Sequence, residues 1–163
     1  MTNQIEIFSI ADGANKRGKY CGAGVLLVNP DNGQILETHS KYTGEGSNNI
    51  SEYWAVKFGL EKAEEYAREH DINKITILTD SALIVEQLNG KFKIKQATLK
   101  PIHAQVKENI DRLRSEGFVI TLDQVSREYT VKADELAGEE ALKAMSTGSE
   151  EKYPFLQKLK EQK

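Results

Sequence analysis

Four acidic residues occupy positions from which one domain could bring their side chains together. Asp80 follows the β-branched apolar run 74–79, and Asp12 is predicted to end the first strand. Glu52 falls on the small, apolar face of a predicted helix, in its first turn, and Asp134 lies near the start of a late helix. Because open α/β sheets bind ligands at the carboxyl ends of their strands, we expect one crevice to hold all four carboxylates.

Carboxylates gathered in this way predict metal chemistry. Four of them repel one another at pH 7, and divalent cations remove that conflict. Oxygen-only ligands select hard cations such as Mg²⁺ or Mn²⁺. Two such ions about 3.5–4 Å apart would activate a water and stabilise the leaving oxygen of an in-line phosphoryl displacement. Any one acid alone would be equally typical of an exposed strand end or helix start.

Strand and helix patterns alternate along the chain, which predicts an α/β fold. The turn signal at 29–33 returns the chain as an antiparallel hairpin, and Thr98 is predicted to cap a helix that stops at Gly117. The predicted elements are strands 5–12, 22–28, 34–42, 74–79 and 118–122 and helices 50–70, 81–88, 98–117 and one containing 133–137.

Length and composition favour one domain with a real core. The chain has 163 residues, of which 39% are hydrophobic, and a net charge of -3, so any polyanion site must rest on a local patch. The single cysteine, Cys21, excludes an internal disulfide and fits a reducing compartment. No apolar run approaches the ~18 residues that span a bilayer. We therefore expect a cytoplasmic protein without membrane contact.

The residues around the four acids resemble ribonuclease H type 1. The matching motifs are Asp12-Gly-Ala with Gly22-Ala-Gly, Asn48-Asn-Ile-Ser-Glu52-Tyr, Thr79-Asp-Ser81, and Arg127-Glu with Ala133-Asp-Glu-Leu-Ala137. They occur in the family's order and in the matching strand or helix context, over residues 5 to about 145. The resemblance implies a ribonuclease H-like fold, with a five-stranded mixed sheet whose strands one to three are antiparallel and which is flanked by helices.

The resemblance also implies an activity, namely endonucleolytic hydrolysis of the RNA strand of RNA/DNA hybrids to 3′-hydroxyl and 5′-phosphate ends. Asp12, Glu52, Asp80 and Asp134 match the metal-binding carboxylates of a site for two Mg²⁺ ions, with Mn²⁺ as a second possibility. In the family, the residue at the position of Glu52 also helps to recognise a 2′-hydroxyl, which separates RNA from DNA. We expect an RNA/DNA hybrid as the partner and a monomeric protein.

Polar residues beside the acids match the family's nucleic-acid contacts. Asn48 and Asn49 match its paired asparagines, whose amides donate to and accept from the minor groove. Ser47 and Ser81 are weaker candidates nearby. The two asparagines could also serve as helix caps, and the two roles are compatible.

Two departures from the family concern the substrate rather than the metal. Many bacterial members carry a histidine in the loop before the last aspartate, whereas Arg127 stands seven residues before Asp134 here, as in an archaeal-like subgroup. We expect Arg127 to assist catalysis, with a structural ion pair as the alternative. The loop after Asp12 reads Asn-Lys-Arg-Gly-Lys-Tyr in place of the frequent Gly-Asn-Pro-Gly.

The basic protrusion of some bacterial members is also missing, because the segment after Gly90 is short. Lys91, Lys93 and Lys95 stand on alternate positions in that segment and are predicted to bind nucleic acid in its place. The alternative for this lysine run is a solvated edge strand that discourages edge pairing.

Residues 1–145 are predicted to form the catalytic domain, and residues 146–163 a polar linker with a lysine-rich tail. Two other functions stay open from the sequence. One is a catalytically silent nucleic-acid-binding module of the same fold. The other is a nuclease of the same fold that prefers double-stranded RNA or DNA.

Overall fold

A computed structural model describes residues 5–91, 93–145 and 153–161. Within these ranges one five-stranded sheet has the order β3-β2-β1-β4-β5. The first three strands pair antiparallel, and β1–β4 and β4–β5 pair parallel. The predicted mixed α/β sheet is thereby confirmed. Its strands are β1 (Glu6–Lys16), β2 (Tyr20–Val28), β3 (Ile35–Glu45), β4 (Lys74–Thr79) and β5 (Val119–Gln124).

The first and fourth helices pack on opposite faces of the sheet. Gly13 faces the first helix, whereas its strand neighbour Asp12 pairs with Gly24, which faces the fourth.

None of the helices in the described ranges combines the length and the apolar character that a bilayer-spanning segment needs. The helices are α1 (Asn48–Glu69), α2 (Ala82–Leu88), α3 (Lys100–Ser115), α4 (Val131–Ala144) and α5 (Phe155–Glu161), with short 3₁₀ turns at Ala97–Leu99 and Arg127–Tyr129.

The first strand is longer than predicted, and Asp12 does not end it. Residues 14–16 are polar enough to suggest a loop, yet they pair with residues 20–22 of β2. Backbone hydrogen bonds, which need no apolar side chain, hold this part of the hairpin. Asp12 therefore lies inside β1, and the strand carries four more residues beyond it.

Two helix starts also differ from prediction. Helix α1 begins at Asn48, capped by Ser47, so Glu52 lies in its second turn and not in its first. Thr98 is not a cap, because it lies in a 3₁₀ turn and α3 begins at Lys100, next to a proline at its start. Gly117, with φ of 100°, follows the end of α3.

The lysine run does not form an edge strand. Lys91, Lys93 and Lys95 lie in irregular backbone between α2 and the following 3₁₀ turn. That alternative is therefore wrong for the described residues of this segment. The predicted linker and tail fall partly outside the described ranges, at 146–152 and 162–163, and α5 lies between them.

Glycines without side chains let two helices approach the sheet closely. A Cβ on Gly22 or Gly24 would lie 2.0 Å from a backbone oxygen of α4, and one on Gly13 would lie 2.3 Å from Ser51 O of α1. Real Cβ atoms do not approach backbone oxygens so closely. These contacts fix α1 and α4 at the end of the sheet where the acids lie.

Candidate active site

Three carboxylates from three elements meet at one end of the sheet. Asp12 comes from β1, Glu52 from α1, and Asp80 from the residue after β4. One carboxylate oxygen of each lies within 4.8 Å of the others. The parallel pairing of Ile10 with Leu78 brings β1 and β4 side by side at this end. The convergence expected from the sequence is thus present for these three residues.

Asp134, on α4, lines the same cavity, although it is not one of the three acids whose carboxylate oxygens lie within 4.8 Å of one another. Its negative charge still raises the pKa of both Asp12 and Glu52. The cavity has a volume of about 490 Å³. Its lining residues are Asp12, Gly13, Ala14, Asn15, Lys16, Asn48, Asn49, Glu52, Asp80, Ser81, Gln124, Val125, Ser126, Arg127 and Asp134.

Burial and mutual repulsion make two of the acids hard to ionise. Asp12 is 2% exposed, and its burial, with the charges of Glu52 and Asp80, raises its pKa from 3.8 to about 9. Burial of Glu52, with the charge of Asp80, raises its pKa from 4.5 to about 7. At neutral pH Asp12 is therefore mostly protonated and Glu52 about half protonated, unless positive charge is added to the cavity.

The side chains present fit divalent cations. Glu52 Oε2 is buried and has no hydrogen-bond partner among the described residues, so this cavity-lining residue has a ligand oxygen left over. The donors within 4.8 Å are all carboxylate oxygens, which suits Mg²⁺ and Mn²⁺ better than softer metals. Cation binding would satisfy the unpaired oxygen and remove the repulsion between the acids.

Without metal, the protein is expected to lose stability as the pH rises from about 5 to 9. The folded-state pKa values of Asp12 and Glu52 lie above their ordinary values. Their stabilising contribution is therefore present at low pH and is lost as the pH rises through about 7 and about 9. Saturating Mg²⁺ should flatten this decline by binding the ionised form. Chemical denaturation in EDTA and in Mg²⁺ measures both slopes, and a free energy of unfolding in EDTA that rises with pH would contradict the assignment.

Among the described residues, the Thr130 hydroxyl contacts the Asp80 carboxylate and orients it. Thr130 is fully buried, and its Oγ lies 3.4 Å from Asp80 Oδ2 and 3.1 Å from Arg127 O. The hydroxyl can donate to one of these oxygens at a time. Thr130 precedes α4, so it connects the Asp80 carboxylate to the helix that carries Asp134.

Arg127 lies at the mouth of the cavity and is exposed. Its positive charge lowers the pKa of Glu52, opposing the effects of burial and of Asp80. In the part of the chain that the structure describes, Arg127 makes no ion pair. The alternative of a structural ion pair is therefore wrong there, and the guanidinium is available to a ligand.

The polar residues predicted to contact nucleic acid divide into two groups. Asn48, Asn49 and Ser81 line the cavity, whereas Ser47 does not. Ser47 caps α1 by accepting a hydrogen bond from Ile50 N at 3.3 Å, and Ser81 caps α2 in the same way through Ile84 N. Because Ser47 supplies the cap of α1, the asparagine side chains are not needed for it.

The lysine run lines a different cavity from the one that the acids line. Lys91, Lys93 and Lys95 line a second cavity of about 590 Å³, which shares none of its lining residues with the acid cavity. Leu83, Gln87, Gln96 and Leu99 complete that cavity. A role for these lysines in nucleic-acid binding stays a prediction.

Sequence reasoning missed two cavity residues in β1, Asn15 and Lys16. Asn15 Nδ2 donates to Gly46 O at 2.8 Å and so ties the hairpin to the segment before α1. The available signal was strand alternation, since Lys16 follows Asp12 by four residues and shares its face if the strand continues. The predicted strand end at Asp12 concealed that relation.

Comparison with known proteins points to one family. A family model described as reverse transcriptase-like matches residues 11–140. The bifunctional protein Rv2228c of Mycobacterium tuberculosis is 27% identical over 118 residues, which cover 72% of this chain. The chain spans about 30% of the length of that relative.

Three solved structures share the fold. LC11-RNase H1, determined in complex with an RNA/DNA hybrid, matches with a TM-score of 0.74 at 30% identity, over 86% of this chain and 99% of that one. The N-terminal RNase H domain of Rv2228c from Mycobacterium tuberculosis matches with a TM-score of 0.71 at 25% identity, over 87% of this chain and 99% of that one. RNase H1 from the archaeon Halobacterium salinarum matches with a TM-score of 0.70 at 24% identity, over 83% of this chain and 96% of that one. At this identity the match supports the fold alone.

Proposed function

Because this chain belongs to the reverse transcriptase-like family, and within it to ribonuclease H type 1, we propose that it is a metal-dependent endonuclease that cuts the RNA strand of RNA/DNA hybrids. The observation that carries the proposal is the convergence of Asp12, Glu52 and Asp80 within 4.8 Å in a cavity that Asp134 also lines. A relative that covers nearly the same length was solved with such a hybrid.

The four acids would hold two divalent cations, Mg²⁺ or Mn²⁺, in this proposal. Asp12 and Glu52 would be fully ionised by cation binding, because their raised pKa values otherwise keep Asp12 protonated and Glu52 about half protonated near neutral pH. Bound cations would supply an activated water and charge stabilisation for in-line attack at phosphorus, with cleavage of the bond to the 3′-oxygen. The products are a 3′-hydroxyl and a 5′-phosphate.

The remaining cavity residues would bind and orient the substrate. The amides of Asn48 and Asn49 at the start of α1 would contact base edges in the minor groove, and the position of Glu52 allows contact with a 2′-hydroxyl. Arg127 lies at the rim without an ion-pair partner in the described residues, so its guanidinium could bind a phosphate of the substrate. Thr130 would keep the Asp80 carboxylate oriented.

The substrate class is tested with three labelled duplexes of one sequence, namely an RNA/DNA hybrid, an RNA duplex and a DNA duplex. With Mg²⁺, only the RNA strand of the hybrid should be cut, the new ends should be 3′-hydroxyl and 5′-phosphate, and EDTA should abolish cleavage. Preferred cleavage of either homoduplex would replace the proposed substrate. Binding of the hybrid without any cleavage would indicate a silent nucleic-acid-binding module. A cytoplasmic location and a monomeric state stay predictions from the sequence.

A further inference from the structure

Lys16 lies on the same face of β1 as Asp12. The two residues are separated by four positions in a continuous strand, so their side chains point to the same side of the sheet. The pairing agrees, because Asp12 and Ala14 lie opposite Gly24 and Gly22, the two glycines that face α4. The extension of β1 beyond Asp12 thus places a lysine on the α4 side of the acid cavity.

The Lys16 side chain crosses the surface of α4 at a glycine. A Cβ on Gly138 would lie 3.6 Å from Lys16 Cε and 3.7 Å from Lys16 Nζ. Gly138 follows Asp134 by four residues, which is about 6 Å along the helix axis and on the same helix face. The ammonium group is therefore held about one helical turn from the position of Asp134.

Lys16 has no anionic partner in the described part of the chain, although its neighbour in the same hairpin does. No carboxylate oxygen among those residues lies within 4.0 Å of Lys16 Nζ, whereas Lys19 Nζ lies 3.5 Å from Glu45 Oε1. Lys16 lines the cavity and is half-buried, and Lys19 does not line it. The charge of Lys16 is thus available to a ligand that enters the cavity.

A nucleic-acid strand in this cavity would need such a charge. Of the residues that line it, Lys16 and Arg127 are the basic ones, against four acids. The acids would be neutralised by cations at the scissile phosphate, which leaves the next phosphates of the strand facing protein. A lysine in contact with a phosphate releases a counterion and strengthens binding in a salt-dependent way.

We propose that the Lys16 ammonium binds a phosphate adjacent to the scissile phosphate on the strand that is cut. This inference rests on the proposed function. The adjacent phosphate is a better assignment than the scissile one, because Lys16 contacts α4 one turn beyond Asp134 and does not contact the three converging acids. Lys16 would thereby position the strand and would not act on the reacting atoms.

The test compares Lys16→Met with wild type, because methionine keeps an unbranched side chain over Gly138 and removes the charge. Hybrid affinity is measured by fluorescence anisotropy in an Asp80→Asn background, across a range of salt concentrations. We expect the slope of log Kd against log salt to fall by about 0.7–0.9, with affinity weaker by about tenfold at about 50 mM salt and by about threefold at about 200 mM. In the active protein, KM should rise while kcat changes less than about twofold.

Matched variants keep the inference falsifiable. Lys16→Arg should retain the wild-type slope, and Lys19→Met, in the same hairpin, should retain it too, because Lys19 is paired with Glu45. An unchanged slope and KM in Lys16→Met, or an equal effect of Lys19→Met, would overturn the role of Lys16. If wild type binds the hybrid but never cuts it, the proposed function fails, and the salt slope still decides on Lys16. Absence of hybrid binding by wild type would overturn both.

Discussion

Asp12→Asn is expected to reduce hybrid cleavage by about 10³-fold or more and, in the absence of metal, to make the protein more stable. The first effect follows from the loss of a central ligand, since about 4 kcal/mol of lost charge stabilisation in the transition state corresponds to about 10³-fold in rate. The second follows from the pKa of Asp12, which burial and the charges of Glu52 and Asp80 raise to about 9.

The stability gain should grow as the pH rises from about 5 to 9, because over this range the Asp12 carboxyl is ionised in the unfolded chain but stays largely protonated in the folded cavity. An uncharged amide of the same shape needs no proton uptake on folding, so the free energy of unfolding at pH 8–9 in EDTA should rise by about 1–3 kcal/mol. For a domain of this size, that is about 2–4 °C in Tm for each kcal/mol. Thermal unfolding in EDTA at pH 5 and at pH 9 measures the difference, which should be much smaller at pH 5.

Asp123→Asn is the matched control, because Asp123 is an exposed carboxylate on β5 outside the cavity. It should leave cleavage unchanged and shift Tm by less than about 1–2 °C at either pH. The assignment of Asp12 would be wrong if Asp12→Asn cleaved the hybrid at the rate of wild type. It would also be wrong if the substitution destabilised the metal-free protein at pH 9 by as much as at pH 5.

Gly24→Ala is expected to damage both the fold and the site, although it adds a single methyl group and removes no charge. The new Cβ would lie 2.0 Å from Ala133 O in the backbone of α4, so the helix must move. Such overpacking costs about 1–3 kcal/mol of stability, and more where backbone must shift. Because α4 carries Asp134, a displacement of about 1 Å should also lower kcat by about 100-fold.

Gly138→Ala provides the comparison within α4. A Cβ there would make only ordinary contacts, at 3.6 Å and beyond, with the Lys16 side chain. Alanine also favours a helix interior over glycine, so stability should stay the same or rise by about 0.5–1 kcal/mol. Urea denaturation compares the two variants. Equal stability of Gly24→Ala and wild type would show that α4 does not depend on this close approach to β2.

The parts of the fold that the sequence predicts are those with local patterns. The run 74–79 is β-branched and apolar and ends at a carboxylate, and β4 with Asp80 lies where that pattern indicates. The turn at 29–33 returns the chain as predicted, because glycine and asparagine favour a tight turn whatever surrounds them. The helical spacing around Glu52 likewise reflects burial of one helix face against the sheet.

The parts that escape prediction depend on contacts between distant residues. Pairing with β2 through the backbone extends β1 to Lys16, which side-chain pattern alone could not indicate. The bond between Thr130 and Asp80 joins residues that are 50 positions apart. The placement of the lysine run in a separate cavity depends on where α2 and α3 pack, so its spacing in the sequence was not informative about the site.

Cleavage of an RNA/DNA hybrid by wild type and by Asp80→Asn, purified in parallel, tests the central claim most directly. Single-turnover rates are measured over a range of Mg²⁺ concentrations, with the RNA strand labelled. We predict Mg²⁺-dependent cleavage of the RNA by wild type and a rate lower by about 10³-fold or more for Asp80→Asn, with its folding unchanged by circular dichroism. An intact RNA strand with wild type at every Mg²⁺ concentration, or equal cleavage by the two proteins, would contradict a metal-dependent nuclease centre in the acid cavity.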